Sequence, residues 1–222
     1  MNITRYGVTL NRLTSPKIEL VRNWRNDKKI LRHMLYREIV SEEMQQQWFD
    51  SVNNHRNFYF IIEYNYEPVG LIDMAWIDWQ EKTAYAGLFI YEDKYLGTSL
   101  PVYASLTLLD IFFIIFQLET IFAKVRRGNM NAVKYNERLG FRIYQDDEQN
   151  EGQEYVLTRE NYFKQADKLR KSAIHLKGNQ TIIEFGEEKY SGIEFIDSKL
   201  HQVSSIDAKD LDLLIINGHP KF

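Results

Sequence analysis

The residue best placed to do acid–base chemistry in this 222-residue chain is Asp73. It lies in the strand-like run Gly70-Leu71-Ile72-Asp73-Met74, although aspartate is depleted in strands, so its presence there needs a reason. A carboxylate that faces a bound substrate can accept a proton as a general base. Glu92 and Asp93, at the end of the next strand-like run, are weaker candidates for that role. The structural alternative is that Asp73 points to solvent or pairs with an arginine.

A second chemical feature is the stretch Tyr95-Leu96-Gly97-Thr98-Ser99-Leu100-Pro101. It follows an apolar and aromatic run at 84–90 and precedes an apolar segment at 101–116, which predicts a strand, a tight turn and a helix. The first N–H groups of a helix lack partners within the helix and lie at the positive end of its dipole, so such a turn can bind a phosphate group. One glycine between a strand and a helix is also typical of an ordinary α/β connection, and the turn alone leaves both interpretations open.

Three arginines could hold an anionic or nucleotide-bearing substrate: Arg22, Arg25 and Arg37. A guanidinium matches a phosphate bidentately, while the alternative for each is ordinary solvated charge. His33 is a further acid–base candidate, although a lone loop histidine is more often inert.

The composition excludes several kinds of site. The chain has no cysteine, which excludes disulfides, thiolate metal ligands and a cysteine nucleophile. The five histidines show no metal-ligand spacing, so we expect no metal. A net charge of −3 does not predict a nucleic-acid partner, despite the local basic strip Lys124, Arg126 and Arg127. The most apolar run, at 106–116, is too short to span a bilayer, and the N-terminus lacks a signal-peptide core, so we expect a cytoplasmic protein without a membrane partner.

Apolar periodicity and turn residues predict the element order β-α-α-β-β-β-α-β-α-β-β, a mixed α/β domain. The predicted strands are 6–13, 57–63, 69–77, 83–91, 120–126, 141–144 and 154–158. The predicted helices are 17–27, a helix capped by Ser41, 101–116, a helix from about Asn129 to Gly140, and an amphipathic helix at 162–173. We place the main domain at 1–173 and a small extension of unknown role at 174–222, with β-branched runs at 181–185, 192–196 and 211–216. The extension packs either on this domain or on a second subunit, and a homodimer is one expectation.

The element order, the turn at Gly97 and the stretch Asn129-Met130-Asn131-Ala132-Val133-Lys134-Tyr135-Asn136-Glu137-Arg138-Leu139-Gly140-Phe141 together resemble the GNAT superfamily of acyl-CoA-dependent N-acyltransferases. The last stretch is the more specific, because an Asn, an Ala three residues on and a closing Leu-Gly-Phe look like the family's later CoA-contacting helix. The resemblance extends over about residues 3–160. It implies a mixed central sheet, antiparallel in its N-terminal part, that is flanked by helices.

The resemblance implies acetyl-CoA as the acyl donor and suggests where it binds. The pantetheine arm would pair with the strand end at Leu88, Phe89 and Ile90, where a backbone N–H would meet the oxyanion. The remaining cofactor contacts implied are Gly97, Thr98, Ser99, Leu100, Asn129, Asn131 and Tyr135. The turn departs from the family pattern, because the three slots usually held by Gln or Arg, Gly, and Gly or Ala are Leu96, Ser99 and Pro101. Proline has no N–H, and a ligand oxygen left unpaired would weaken binding by about 1 to 3 kcal/mol.

The later helix contains a second departure. Many relatives carry a tyrosine that protonates the departing CoA thiolate, but that slot here is Asn136, and a tyrosine lies one residue earlier, at Tyr135. One residue is about 100° around a helix. Either the helix is rotated so that Tyr135 is the acid, or water or another group donates the proton.

Within the superfamily, Glu19-Leu20, Trp24-Arg25-Asn26, Met34 and the run 69–73 are similar to the N-acetyltransferases of the pseudaminic acid pathway, which acetylate the 4-amino group of a UDP-linked amino sugar. This implies a small amine acceptor, carried on a nucleotide, that contacts Arg25, Met34 and Arg37. Two alternatives stay open. The chain could acetylate a protein N-terminus or an amino acid, or it could be a non-catalytic binding module on the same fold.

Overall fold

The computed structural model of the chain describes residues 1–146, 149–185 and 211–217. Its strands are β1 Asn2–Arg5, β2 Val8–Arg12, β3 Phe58–Tyr64, β4 Glu67–Asp78, β5 Thr83–Ile90, β6 Thr120–Arg126, β7 Arg142–Gln145, β8 Gly152–Thr158, β9 Thr181–Phe185 and β10 Leu213–Asn217. Its helices are α1 Ile18–Asn26, α2 Lys28–Leu31, α3 Glu42–Val52, α4 Leu100–Asp110, α5 Met130–Leu139, α6 Arg159–Gln165 and α7 Asp167–Lys177. The described strands form one ten-stranded sheet in the order β10-β9-β1-β2-β3-β4-β5-β6-β8-β7. The predicted mixed α/β architecture is confirmed.

The strand predicted at 6–13 is confirmed as β2, at Val8–Arg12, but the prediction missed β1, with which it forms a tight hairpin. β1 and β2 pair antiparallel from Asn2↔Asn11 to Arg5↔Val8. Tyr6 and Gly7 make the turn, with φ values of 52° and 76°, the backbone conformation of a two-residue hairpin. Tyr6 is in step with Val8 and Leu10, so the alternation from Tyr6 onward did not reveal that Tyr6 lies in a turn, and the buried position just before it, Arg5, is charged.

The strands β3, β4 and β5 form two consecutive antiparallel hairpins, as the short polar breaks between them predicted. The next strand, β6, runs parallel to β5, because the connection crosses over through α4. Their pairing is limited to Thr83↔Thr120, Ala84↔Ile121 and Tyr85↔Phe122. Beyond Tyr85 the two strands have no register pairs, and the sheet opens.

Helices pack on both faces of the sheet. On the first face, α1 and α3 bury Val21, Trp24 and Phe49 against Ile61 and Leu71 of the central strands. The second face carries the larger core, to which α4 and the segment after it contribute most of their side chains. The helix predicted at 101–116 begins at Leu100, and after Asp110 it continues as a π-helical turn over Ile111–Ile115.

The helix ends predicted from sequence are confirmed by their caps. The Ser41 hydroxyl accepts a hydrogen bond from the Met44 N–H at 3.2 Å, and the Asn129 side chain accepts one from the Ala132 N–H at 3.2 Å. Gly140 ends α5 in the left-handed region, with φ of 102°. These contacts are local, so sequence spacing is enough to predict them.

The helix predicted at 162–173 is divided into α6 and α7, with Ala166 between them. The break has a packing reason. It allows both the Tyr162 hydroxyl and the Arg170 Nε to donate to Asp110 Oδ1, each at 2.8 Å. None of the helices in the described residues is long and apolar enough to cross a membrane.

The described part of the C-terminal extension continues the main sheet. β9 pairs antiparallel with β1, and β10 pairs parallel with β9. The guanidinium of Arg5 donates to the Thr181 hydroxyl at 2.5 Å and to the Leu211 carbonyl at 3.2 Å. The boundary at 173/174 stays a prediction, and the run at 192–196 lies outside the described residues.

Candidate active site

The parting of β5 and β6 leaves backbone groups of β5 without strand partners. The Tyr91 N–H donates to the Val69 carbonyl at 2.8 Å, which sets the alternation of the β4–β5 ladder. Leu88 and Ile90 therefore direct their N–H and C=O groups away from β4, to the side where β6 has diverged. An extended ligand can pair with this edge as an added strand would. Phe89, the third residue predicted here, points to the first face, where its ring lies 6.2 Å from that of Trp24.

The predicted phosphate-binding turn lies at the N-terminus of α4. Gly97 has φ of 78°, and nothing lies within 4 Å of the place a Cβ would occupy. The turn uses two of its own N–H groups, since Thr98 N–H donates to the Tyr95 carbonyl at 3.2 Å and Leu100 N–H to the Thr98 hydroxyl at 3.2 Å.

Three N–H groups of this turn have no partner among the described residues, those of Gly97, Ser99 and Val102. They precede or belong to the first turn of an 11-residue helix, where an anion is favoured. The sequence prediction included Gly97 and Ser99 but missed Val102, the residue just after Pro101. The loss of a donor at Pro101 is thus followed by a free donor one residue later.

Asp73 lies on the first face, beside the open edge of β5. Its backbone pairs with Tyr59 on β3 and with Gly87 on β5. A Cβ on Gly87 would lie 2.5 Å from Asp73 Oδ2, so the carboxylate extends across the β5 backbone only because residue 87 is glycine. Sequence reasoning missed Gly87, since only the register shows that it faces Asp73.

The surroundings of Asp73 suit a general base. Burial raises the pKa of Asp73 to about 7, and the positive charge of Arg25 opposes that rise. None of the described residues donates a hydrogen bond to the carboxylate. A base with a pKa near the working pH combines a deprotonated population with useful basicity, so this carboxylate can both accept and release a proton at neutral pH.

Tyr135 lies between α5 and the first turn of α4. Its hydroxyl donates to the Pro101 carbonyl at 2.7 Å and lies 2.7 Å from the Ser105 hydroxyl. Burial raises the pKa of Tyr135 above its ordinary value. The hydroxyl therefore joins two helices that border the predicted CoA site, and its role as proton donor stays a prediction. Asn131, on the first turn of α5, is exposed.

The three predicted acceptor contacts differ in their surroundings. The Arg25 guanidinium is partly buried on α1 and makes no hydrogen bond or ion pair within the described part of the chain. Met34 is partly buried in the loop after α2. Arg37 donates to both carboxylate oxygens of Glu151, at 2.6 and 2.9 Å, so a substrate would have to replace Glu151 there. Arg22 pairs with Glu19 at 2.5 Å, which is the structural alternative stated for it.

Two other titratable candidates, His33 and Asp93, each lie close to a cationic side chain. Burial lowers the pKa of His33, whose Nε2 accepts a hydrogen bond from Arg32 Nε at 3.0 Å. Asp93 lies 3.8 Å from the Lys29 ammonium. The described residues contain no group of three or more His, Asp or Glu side chains arranged to hold a metal ion.

The open edge of β5 and the free N–H groups at the start of α4 are backbone groups to which the pantetheine arm and the pyrophosphate of an acyl-CoA can bind. The family comparison agrees. Residues 8–142 match the model of the acetyltransferase (GNAT) domain, which is more than half of the chain. The chain belongs to this family, and it is an acetyl-CoA-dependent N-acetyltransferase.

Solved structures of similar fold include spermidine N-acetyltransferase from Vibrio cholerae in complex with CoA and spermine, with a TM-score of 0.63 and 17% identity over 71% of this chain and 98% of that one. A domain from Methanocaldococcus jannaschii has a TM-score of 0.59 and 19% identity over 68% and 97% of the two chains. A dodecameric form of the Vibrio cholerae enzyme has a TM-score of 0.57 and 17% identity over 70% and 96%. No curated protein matches the chain by sequence. At these identities the likeness is one of fold.

Proposed function

We propose that this N-acetyltransferase acts on the amine of a small anionic acceptor, specifically an amino sugar linked to a nucleotide. The observation that carries the proposal is the pair Asp73 and Arg25. Asp73 supplies a base beside the open edge of β5, and Arg25 supplies a partly buried cation without a hydrogen-bonding partner among the described residues. A guanidinium in that position favours a phosphate-bearing acceptor over a cationic one.

Different residues of the chain contribute to different steps of acetyl transfer. Acetyl-CoA supplies the thioester carbon that the amine attacks directly, without a covalent enzyme intermediate. Asp73 takes a proton from the acceptor ammonium, which frees the nitrogen lone pair. The N–H groups of Leu88 and Ile90 hold the carbonyl oxygen, where negative charge develops. When the C–N bond forms, the nitrogen still carries two protons. As the C–S bond breaks, the thiolate takes a proton from Tyr135 or from water, and the second nitrogen proton replaces the one that this donor gave up.

Cofactor binding draws on groups that the chain leaves unpaired. The free N–H groups of Gly97, Ser99 and Val102 receive the pyrophosphate. Asn129 and Asn131 are further contacts in this proposal, at the start of α5, the helix whose Tyr135 hydroxyl donates to the Pro101 carbonyl of α4. Orienting both substrates in one geometry supplies much of the rate gain, because it removes the entropy cost of their encounter.

A polyamine is the second candidate acceptor. A cleft of about 310 Å³ lies beside α1 and is lined by Leu20, Trp24, Glu67, Pro68, Glu92 and Lys94. Its two glutamates favour a cationic amine, as does the fold shared with an enzyme described as a spermidine N-acetyltransferase. However, Lys94 already pairs with Glu67 at 2.8 Å, which reduces the negative charge available.

The test is an acetyl-CoA consumption screen with four acceptor groups: nucleotide-linked amino sugars, free amino sugars, polyamines and peptides with a free N-terminus. We expect the highest kcat/KM with a nucleotide-linked amino sugar. A polyamine or peptide as the best acceptor would contradict the proposal. A melting-temperature rise with acetyl-CoA should accompany any activity, because a ligand of the folded state stabilises it. No rise at millimolar acetyl-CoA would support a non-catalytic module.

A further inference from the structure

A row of four aromatic rings crosses the sheet near the candidate active site. Each ring comes from a different strand or strand end, and the row consists of Trp76, Tyr85, Phe122 and Tyr144. Successive ring centroids are separated by 5.3, 5.3 and 5.2 Å. The outer two rings are open to solvent, since Trp76 is 61% exposed and Tyr144 is 53% exposed. We refer to these four side chains as the aromatic row.

The aromatic row lies at the base of the opening between β5 and β6. Tyr85↔Phe122 is the last register pair before those strands part. Tyr85 precedes Gly87 by two residues, so it points to the same face as the Asp73 carboxylate, about 7 Å along the strand. The packing cluster of α1 and α3 includes Phe89 and Tyr91 of β5 but none of the aromatic row. The four rings therefore lie at the bottom of the opening between β5 and β6, on the face of the sheet that carries the Asp73 carboxylate.

Specific contacts hold the rings in place. The Tyr85 hydroxyl donates to Glu154 Oε1 at 2.6 Å, and Lys124 Nζ lies 3.9 Å from the same oxygen. Trp76 has φ of 51° in an irregular part of the β4–β5 ladder, and its backbone N–H donates to Asn57 Oδ1 at 3.0 Å. A bulky residue in that region is strained, and such strain concentrates at ligand-binding positions.

We propose that the aromatic row binds the flat ring of the acceptor, either its nucleobase or the apolar face of its sugar. This rests on the proposed function and names how that site recognises its substrate. Proteins that bind single-stranded nucleic acids stack the bases on exposed aromatic rings, and the aromatic row offers the same kind of surface. A linear polyamine has no ring face to offer. A protein partner would have to bury the Lys124–Glu154 pair, which costs desolvation energy.

The test compares Trp76→Leu and Tyr144→Leu with the matched control Tyr66→Leu. Tyr66 is 95% exposed and lies in the turn between β3 and β4. Calorimetry measures the binding of UDP-N-acetylglucosamine, UDP and N-acetylglucosamine, which requires no turnover. We expect each row variant to weaken the binding of UDP-N-acetylglucosamine by about 5- to 20-fold, while the control leaves it unchanged. Acetyl-CoA binding should stay the same in all three variants.

Comparison of the three ligands identifies which ring of the acceptor the aromatic row binds. Loss of affinity for UDP but not for the free sugar assigns the nucleobase, and the reverse assigns the sugar. Trp76→Phe should restore most of the affinity, which also separates ring loss from misfolding. Failure of the wild-type protein to bind any of the three ligands at millimolar concentration would overturn the proposal, as would equal losses in the control. If acetyl-CoA still binds normally in either of these cases, only the proposed role of the aromatic row is overturned, and the assignment as an acetyltransferase is retained.

Discussion

Asp110 and Asp73 are carboxylates with opposite surroundings: Asp110 is completely buried, and Asp73 is partly buried. Asp110 is completely buried in α4 and accepts hydrogen bonds from four side chains: Arg5, Tyr6, Tyr162 and Arg170. Asp73 accepts none from the described residues. A desolvated carboxylate without donors holds its proton more tightly, which is the case of Asp73.

The difference separates a carboxylate with structural contacts from the carboxylate that we propose as the base. The donors to Asp110 come from β1, the hairpin turn, α6 and α7, so one carboxylate joins the first strand to the C-terminal helices. Asp73 lies instead next to the open edge of β5, with its pKa raised to about 7 by burial. Perturbed carboxylates beside an opening are candidates for function, and the variants below test this contrast.

The largest effect is expected for Asp73→Asn. Loss of the base should lower kcat by about 10²- to 10⁴-fold, while the melting-temperature shift caused by acetyl-CoA stays unchanged. Steady-state kinetics at saturating acceptor measure the first, and thermal unfolding measures the second. An unchanged kcat would remove Asp73 from the role of base.

Asp110→Asn should act on stability instead. It leaves Arg5 and Arg170 without their counter-charge in the interior, so we expect the free energy of unfolding to fall by about 3 to 5 kcal/mol. Denaturant titration measures this loss. The activity per folded molecule should be retained at low temperature, and a selective loss of kcat without destabilisation would contradict the structural role.

The pH dependence sharpens the same comparison. Only deprotonated Asp73 can act as a base, so kcat/KM should be constant above pH 7 and fall about tenfold per unit below it. Folded Asp73 has a pKa raised from its ordinary value to about 7, so the folded state binds more protons and stability decreases as pH rises through that interval. Asp73→Asn should therefore raise the melting temperature slightly at pH 8. It should also abolish the fall in kcat/KM below pH 7. A fall retained in the variant would assign it to another group.

Arg25→Gln tests the acceptor's charge. We expect KM for a phosphate-bearing acceptor to rise about tenfold, the effect of one lost charge-assisted hydrogen bond, with KM for a neutral amino sugar nearly unchanged. Arg22→Gln is the matched control, because it removes a cation from the same helix that is paired with Glu19. Equal changes in the two variants would mean that general charge, not contact, is responsible.

The smallest effect is expected for Tyr135→Phe. Its hydroxyl is occupied by Pro101 and Ser105, so removal should cost about 1 kcal/mol of stability with kcat little changed. Kinetics and denaturant titration on the same preparation separate the two. A fall in kcat of more than about tenfold, confined to the pH range where the acid must be protonated, would assign Tyr135 as the proton donor.

The sequence by itself determined the local features and the family. Helix caps at Ser41, Asn129 and Gly140, the β3–β4–β5 hairpins and the glycine turn before α4 depend on neighbouring residues, so their spacing is readable along the chain. Asp73 stood out because a strand seldom contains aspartate. The hairpin at Tyr6-Gly7 was missed because Tyr6 is in step with Val8 and Leu10 and therefore looked like the start of their strand.

Only the tertiary structure decided what surrounds those residues. The parting of β5 from β6, the approach of Asp73 to Gly87 and the raised pKa of its carboxyl depend on register and burial, which no local pattern encodes. The aromatic row combines residues 76, 85, 122 and 144, which the sheet brings within stacking distance. β9 joins the sheet beside β1 through its backbone ladder, and Arg5 donates to Thr181 and to the Leu211 carbonyl there. Contacts between residues far apart in sequence exist only once the sheet has formed, and these contacts give the site its chemistry.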